Sequence, residues 1–449
     1  MFKTMRNAWK VPDLRKKILF TLMVVIIFRI GSVIPVPFLD AKALNNLMSG
    51  LDDNSLFGYL NMMSGDAFSH ATMFAMSISP YINSSIIMQL LTVIIPSLER
   101  MTKEGEEGRK KMGALTRYLT VILGLAQGTM FYLWLKNYRV TMFNDGFSGI
   151  FTAIVIILTF TAGTALIMWL GEQINQKGVG NGISILLFAG IVSRMPTLIA
   201  TLWGYIYQAQ VMPNQQVFGF NLYPLQYWSY YIFVPLFVII FLAVMWFIVF
   251  MNDAERRIPI QYAKRVVGRK MYGGQSTHIP VKVSGSGVMP IIFASTILSL
   301  PGTIKVIAGS NAPAWLDSIL SAMSPQGWIY PTIYFFLILF FAYFYLQIQY
   351  NPVEMANNLR QSSGTIPGIR PGKPTAEFIG KVLSKITFLG SIFLGVIAIL
   401  PFIFSDLTGM YNTAFLGGTS IIILVGVALE TVKQMESQMM MKHYKGFLD

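Results

Sequence analysis

Long apolar runs recur along the whole chain and are separated by short polar connections. Each run has roughly 18 or more mainly apolar residues, which is the length that an α-helix needs to cross a bilayer. The runs cover residues 18–36, 73–95, 114–135, 149–170, 183–203, 231–251, 287–307, 329–350, 380–404 and 411–431. This pattern predicts an all-α integral membrane protein with ten transmembrane helices and no separate soluble domain.

The second run is unusually polar for a membrane span. It has the sequence MFAMSISPYINSSIIMQLLTVII, with several serines, an asparagine and a glutamine. Hydrocarbon offers no hydrogen-bonding partner, so these side chains are expected to face other helices or a wet cavity. We therefore expect the chain to build a pathway across a membrane.

Composition agrees with a membrane protein and excludes several kinds of chemistry. Hydrophobic residues make up 54% of the chain and charged residues 12%, and the mean hydropathy is +0.56. The chain has no cysteine, which rules out disulfides, thiolate metal sites and thiol nucleophiles. No small-residue cleavage site follows the basic N-terminus, so the first run is predicted to be a retained span.

The formal net charge of +14 predicts the orientation of the chain. Most of the 34 Lys and Arg residues lie in alternate connections, and the positive-inside rule identifies that side as the cytoplasm. Because ten is an even number, both termini are predicted to be cytoplasmic. Nucleic-acid binding is the alternative explanation of so basic a chain.

Two connections on the basic side, 252–286 and 351–379, are much longer than ordinary helix–helix links. The first alternates basic and apolar residues, and its tail predicts a short β-like ribbon. The second opens with a short helical pattern and then places Arg370 in the turn-forming string IPGIRPGKP. Retained positive charge alone is one explanation, but the length and backbone chemistry favour docking sites for a large cytosolic partner.

The connection LFGYLNMMSGDAFSHATM, over residues 56–73, is too short and too polar to span a membrane. Apolar residues recur at helical spacing as far as Met63, and Ser64, Gly65 and Asp66 then interrupt the pattern. Such a half-helix enters a membrane only where protein or water surrounds it. The two readings are an amphipathic helix at the interface and a movable stopper.

The distribution of chemically active residues argues against two other classes of protein. None of the 20 acidic residues lies near the middle of a predicted span, and the three histidines are scattered. An ion-coupled transporter typically needs an intramembrane ion ligand, and a membrane-embedded enzyme needs a convergent nucleophile, base or metal site. The sequence offers neither, so we expect no catalysis, no metal and no cofactor. The string KGVGNGIS at 177–184 predicts a helix cap and close packing rather than a phosphate cradle.

Nine strings together resemble the SecY/Sec61α family, in its bacterial type. They are RIGSVIPVP (29–37), PYINSSIIMQLLTVIIP (80–96), KEGEEGRKK (103–111), GEQINQKGVGNGISILLFAGIV (171–192), ERRIPIQYAKR (255–265), QSTHIPVKV (275–283), NPVEMANNLR (351–360), IPGIRPGKPTAEFI (366–379) and GGTSIII (417–423). The resemblance implies two pseudo-symmetric halves of five spans, 1–205 and 206–449, around an hourglass pore. It also implies the central protein-conducting channel of the Sec translocon, which passes unfolded preproteins across the plasma membrane and releases hydrophobic segments sideways into lipid.

The resemblance also assigns the pore. The implied constriction ring consists of branched apolar side chains: Ile78, Ile82, Ile183, Leu187, Ile292 and Ile423. Residues four apart share a helix face, and a ring without hydrogen-bonding groups would dewet and block ions. The alternative for isoleucines at this spacing is ordinary core or lipid-facing packing. Leu187 stands where isoleucine is common in the family.

The plug and the lateral gate are implied in the same way. The plug is residues 57–72, with Gly65, Asp66, Ala67 and Phe68 in the string SGDAF, where the family often has SGGAL. The gate is the seam between spans 2, 3, 7 and 8. Gln89 and Gln127 are expected to form interhelical hydrogen bonds across it, and plain helix packing is the alternative.

Several partners follow from the resemblance. SecE and SecG are the implied companion subunits, and the SecA ATPase or a translating ribosome supplies the work. Their docking residues are Arg256, Arg257, Lys264, Arg265 and Arg370. Signal-bearing preproteins and the lipid bilayer are the other implied partners, and SecDF and YidC are further candidates.

Overall fold

The computed structural model describes most of the chain. It covers residues 2–40, 42–44, 67–211, 215–217, 220–222, 230–262, 265–267, 270–272, 276–283, 287–308, 328–408 and 418–445. The predicted plug residues up to Asp66, and Lys264 of the predicted docking set, lie outside these ranges.

Helices dominate the described residues. The first part of the chain forms α1 (Phe2–Lys10), α2 (Pro12–Gly31), α3 (Ser79–Ile94), α4 (Pro96–Lys103), α5 (Glu106–Asn137), α6 (Gly146–Lys177), α7 (Gly182–Ser193) and α8 (Met195–Val211). The second part forms α9 (Tyr230–Asp253), α10 (Met289–Ala308), α11 (Ile329–Gln349), α12 (Pro352–Gln361), α13 (Lys373–Thr408) and α14 (Gly418–Lys445). The strands are β1 (Gln215–Val217), β2 (Phe220–Leu222), β3 (Glu255–Tyr262), β4 (Arg265–Val267), β5 (Lys270–Tyr272), β6 (Ser276–Lys282) and β7 (Gly364–Thr365).

Every predicted apolar run overlaps a helix, and α7 and α8 together occupy the fifth. By length and hydropathy alone, six described spans could cross a membrane, or seven if α3 and α4, bent by 108°, count as one. The number ten is therefore not confirmed directly. Among the remaining runs, α2 carries basic residues near both ends and α14 becomes polar in its second half, which lowers the mean hydropathy of each.

Two predicted boundaries are wrong. The second span begins at Ser79 rather than at residue 73, because Pro80 lacks a backbone N–H and is tolerated only in the first turn of a helix. Residues 73–78 form turns, with Ser77 at a φ of 50°. The second wrong boundary is the end of the last predicted span, because α14 continues far beyond residue 431. This extension packs on α1, where the Thr4 hydroxyl donates a hydrogen bond of 2.8 Å to Glu436.

The two long connections form one structural unit. Strand β3 pairs with β6 on one side and with β7 on the other, in the order β6-β3-β7. The predicted ribbon thus uses both ends of the first connection rather than its tail alone, and the second connection adds a strand. A small core joins them: Ile258, Ile260, Val281, Leu359, Ile366, Ile379 and Leu383. We call β3, β6, β7 and α12, with the turn 366–372, the loop module.

Candidate pore and docking surface

All six predicted ring residues pack in one hydrophobic cluster. They come from four segments that are far apart in the sequence: the start of α3, α7, α10 and α14. Ile78 is only 2% exposed, and Ile82, Leu187, Ile292 and Ile423 are also buried, while Ile183 packs at the edge of the cluster. The fold therefore places all six residues in its main hydrophobic core, and the ring itself stays a prediction.

Ile78 and Ile82 keep their predicted relation although Ile78 precedes the helix. Ile78 is the N-cap of α3 with a right-handed backbone, and the Ile82 N–H donates to its carbonyl at 3.0 Å. The two side chains are thus four residues apart on a helical backbone, which places them on one face.

The string KGVGNGIS is confirmed as a cap and a close-packing element that fixes Ile183. The Asn181 side chain accepts hydrogen bonds from the backbone N–H groups of Ile183 and Ser184 at the start of α7. A Cβ on Gly182 would lie 1.9 Å from the Gly171 carbonyl oxygen of α6. Only a glycine allows α7 to begin this close to α6, and this contact fixes the position of Ile183 and Leu187 relative to α6.

Residues 67–78, which we call the anchor loop, hold the described end of the predicted plug. Ala67 and Phe68 are each 1% exposed. Ala67 belongs to the same cluster as the ring, whereas Phe68 packs in a second cluster, with its ring centroid 4.6 Å from that of Phe131 on α5. The anchor loop therefore connects the predicted plug to the ring and fastens it to α5.

Two helix glycines make room for the anchor loop, and the sequence analysis did not identify them. A Cβ on Gly163 of α6 would lie 2.0 Å from the Met73 carbonyl oxygen. A Cβ on Gly31 would lie 2.1 Å from the ring of Phe74, which stacks on Phe28. A glycine inside an apolar helix is the sequence signal that could have indicated such a close approach.

We expect Gly163→Ala to displace the anchor loop, because the carbonyl it meets is backbone and cannot rotate away. The expected cost is about 1–3 kcal/mol of overpacking, seen as a lower thermal unfolding midpoint of the purified protein. Gly124→Ala on α5 is the matched control, since its Cβ would meet Thr161 at an ordinary 3.7 Å and alanine favours a helix. Equal midpoints for the two variants would contradict the close approach.

The predicted gate glutamines lie on adjacent helices. Gln89 on α3 and Gln127 on α5 are half-buried, and α5 contacts α10 as well as α3. Gln89 Oε1 is buried without a hydrogen-bond partner in the described part of the chain, and so is Ser84 Oγ. No donor among the described residues reaches Gln89 Oε1, and the interhelical hydrogen bonds of the gate stay a prediction. An unpaired acceptor of this kind costs about 1–3 kcal/mol.

Helix α5 is joined firmly to α6. Gly124 and Gly128 of α5 face α6 near Thr161, and Arg117 forms an ion pair of 2.7 Å with Glu172 across the two helices. The sequence analysis did not identify this pair. The two helices are therefore held together by packing and by this ion pair.

The loop module presents three of the predicted docking arginines, Arg256, Arg257 and Arg370, to solvent. Arg256 and Arg257 lie exposed on β3, and Arg257 bonds Glu255 at 2.7 Å. Arg265 begins the hairpin β4–β5. Arg370 lies at an exposed turn that contains Gly368 and Gly372, both with positive φ, and its carbonyl accepts a 2.8 Å hydrogen bond from buried Thr375. The prediction of a turn at Arg370 is confirmed.

The described residues contain no group of three or more His, Asp or Glu side chains placed to hold a metal ion.

Comparisons with known proteins agree on one family. The model of the SecY family matches residues 72–432. The chain is 43% identical to the protein translocase subunit SecY of Streptomyces scabiei and 44% identical to that of Bacillus subtilis (strain 168), in each case over 100% of both chains. A solved structure of a protein-conducting channel shares the fold with a TM-score of 0.63 at 17% identity, covering 96% of each chain. A second, in which the SecY plug domain stabilises the closed state, has a TM-score of 0.61 at 16% identity with the same coverage. The chain therefore belongs to the SecY family.

Proposed function

We propose that the chain is the central protein-conducting channel of a Sec translocon. It is the passive pore through which unfolded preproteins cross the plasma membrane and hydrophobic segments move sideways into lipid. The observation that carries this proposal is that Ile78, Ile82, Leu187, Ile292 and Ile423, from four separate segments, share one hydrophobic cluster with Ala67 at the end of the predicted plug. Its full-length relatives are named translocase subunits.

The chemistry of the ring explains how it closes the pore at rest. Branched aliphatic side chains form no hydrogen bonds with water, so a narrow ring of them dewets and excludes hydrated ions. Isoleucine side chains also move without breaking polar contacts, so the ring yields around an extended polypeptide. Residues 57–72 act as the plug on the outer side, and Ala67 and Phe68 are its attachment.

The lateral gate is the seam at α3, α5, α10 and α11. The pair α5–α6 is firmly packed, so opening occurs where α5 meets α10. The unpaired carbonyl of Gln89 favours this role, because a donor on an entering segment would recover the cost of the unmade bond.

Orientation and architecture follow from charge and packing. The basic connections support a cytoplasmic position for both termini, and the packing of α1 on α14 agrees with it because these two helices lie on the same side. The halves 1–205 and 206–449 touch through α7 and α14 beside the ring and through α8 and α9 at their junction.

The work of transport comes from outside the chain. SecA or a translating ribosome docks on the loop module at Arg256, Arg257 and Arg370, with Lys264 and Arg265 as further contacts. SecE and SecG complete the complex, and SecDF and YidC act beside it. The chain itself is not an enzyme in this proposal.

Reconstitution tests the proposal directly. The chain, with SecE and SecG in liposomes, is expected to protect an unfolded signal-bearing precursor from external protease only when SecA and ATP are both present. Protection that disappears on adding detergent would establish transport into the lumen. Complexes that give no protection but accumulate a small solute would instead support a transporter.

A further inference from the structure

Thr72 is a buried polar residue of the anchor loop that the proposed mechanism does not yet use. It is 1% exposed, and both its backbone N–H and its Oγ1 donate hydrogen bonds to the Ala67 carbonyl, at 3.0 and 3.1 Å. Its own carbonyl accepts a hydrogen bond of 2.9 Å from the Ala75 N–H. Thr72 thus satisfies its buried polar groups inside the loop and joins two successive turns of it.

The anchor loop meets the cluster of the predicted ring at both of its ends. Ala67 at the start and Ile78 at the end are both buried members of that cluster. Beyond Thr72, the Ser77 N–H donates a hydrogen bond of 2.8 Å to the Phe74 carbonyl, and Ile78 follows as the N-cap of α3. Because short hydrogen-bonded turns connect these points, a shift of Thr72 would move both ends of the loop.

Two residues of the anchor loop adopt a backbone conformation that their own side chains disfavour. Ala71 has a φ of 41° and Ser77 a φ of 50°. A left-handed backbone is unfavourable for residues that carry a Cβ, and it persists only where the surrounding structure imposes it. The conformation of the anchor loop therefore depends on contacts outside the loop.

These contacts come from residues 34–40, which follow α2 and which we call the outer segment. Pro35 and Thr72 face each other in an antiparallel bridge, which is closed by two backbone hydrogen bonds between their neighbours, of 3.1 and 2.9 Å. A second antiparallel bridge, between Leu39 and Thr141, ties the outer segment to the residues shortly after α5. The outer segment thus connects the anchor loop to the ends of both α2 and α5.

We propose, building on the channel function above, that Thr72 is a positioning residue for the constriction. Its hydroxyl and its bridge to Pro35 fix the anchor loop, and the loop holds Ala67 and Ile78 where they close the resting pore. An apolar constriction excludes hydrated ions only while it is narrow. A loosened anchor loop therefore leaks even though every apolar side chain of the ring is unchanged.

Thr72→Val tests the hydroxyl in the reconstituted complex. Valine keeps the shape of the side chain and the bridge to Pro35 but removes one of the two hydrogen bonds to the Ala67 carbonyl. We expect the resting conductance in planar bilayers to rise about threefold to tenfold, and a precursor with a weakened signal to become protease-protected. Thr72→Ser keeps the hydroxyl and should remain as tight as wild type.

Thr120→Val is the matched control for Thr72→Val. Thr120 is also fully buried, and its Oγ1 donates a hydrogen bond of 2.7 Å to a backbone carbonyl within α5. It loses the same kind of bond without touching the hydrogen bonds of the anchor loop, so its resting conductance should equal that of wild type. Wild-type tightness in Thr72→Val, or an equal leak in Thr120→Val, would overturn the positioning role.

A disulfide across the bridge tests the same role within a single protein. In a bridge whose neighbours carry the hydrogen bonds, the two Cα atoms are about 4.5 Å apart, which suits a disulfide, and the chain has no cysteine of its own. The double variant Pro35→Cys/Thr72→Cys should leak when reduced, and oxidation should restore tightness in the same sample. A reduced form that is already tight, or a leak that the formed disulfide leaves unchanged, would contradict the proposal.

Precursor protection by wild type separates this proposal from the proposed function. If wild type protects the precursor with SecA and ATP, the channel function stands, and the resting conductance of the variants judges Thr72 alone. If wild type protects no precursor, the channel function fails and the positioning role fails with it. The comparison of reduced and oxidised protein also covers the case in which Thr72→Val does not fold.

Discussion

Replacing Arg370 with glutamate is expected to abolish SecA-driven export while the protein still inserts into the membrane. The side chain is exposed and makes no contribution to the core, whereas its backbone is held on both sides, by buried Ile366 and by Thr375. Positive φ angles at Gly368 and Gly372 fix the turn. An arginine held this rigidly loses little conformational entropy when a partner binds it.

The expected magnitude follows from the cost of losing an interface arginine. Hot-spot arginines cost about 2 kcal/mol or more on truncation, and this corresponds to roughly a thirtyfold loss of affinity. Reversal of the charge adds repulsion. Measurements of SecA binding to the reconstituted complex and of precursor protection should fall together.

Arg360→Glu is the matched control for Arg370→Glu. Arg360 is also exposed and also belongs to the loop module, on α12, so it changes the net charge equally. Export should remain near wild type in this control. Unchanged export by Arg370→Glu, or equal loss in both variants, would show that the position of Arg370 at the turn has no special role.

Asparagine at Ile78, Ile82 and Ile292 is expected to make the closed channel leak ions and to relax the requirement for a strong signal sequence. Polar side chains in the constriction would hold water there and remove the dewetted barrier, and we expect the resting conductance in planar bilayers to rise by about tenfold or more. A wetter and more loosely packed ring also opens with less help from the signal.

Ile185→Asn separates the ring from the general loss of packing. Ile185 is 8% exposed and belongs to the same hydrophobic cluster, but it lies between Ile183 and Leu187 on another face of α7. Burying the amide there costs about 1–3 kcal/mol, as it does in the ring, without wetting the constriction. Wild-type tightness in the triple variant, or an equal leak in Ile185→Asn, would count against the ring.

The sequence by itself determined the membrane class and the approximate positions of the helices. Both follow from patterns that can be found within a short stretch of sequence, namely the length of apolar runs and the placement of charged residues. Turns and helix caps also depend on a few neighbouring residues, and so the turn at Arg370 and the cap at Asn181 were predictable. The residues of the ring were predictable only through resemblance, because isoleucine at helical spacing is equally typical of a core or a lipid-facing surface.

Only the tertiary structure decided how distant segments meet. The union of two connections into the loop module depends on pairing β3 with β7, about a hundred residues later, and no local pattern encodes that register. The contact of Gly163 with Met73 and the unpaired Gln89 carbonyl were likewise not predictable from local sequence. Contacts between helices depend on the rotation of each helix about its axis and on its shift along that axis relative to its neighbour. Hydrophobic patterning thus fixed what the segments are, whereas close packing between them decided how the anchor loop, the loop module and the main core are assembled.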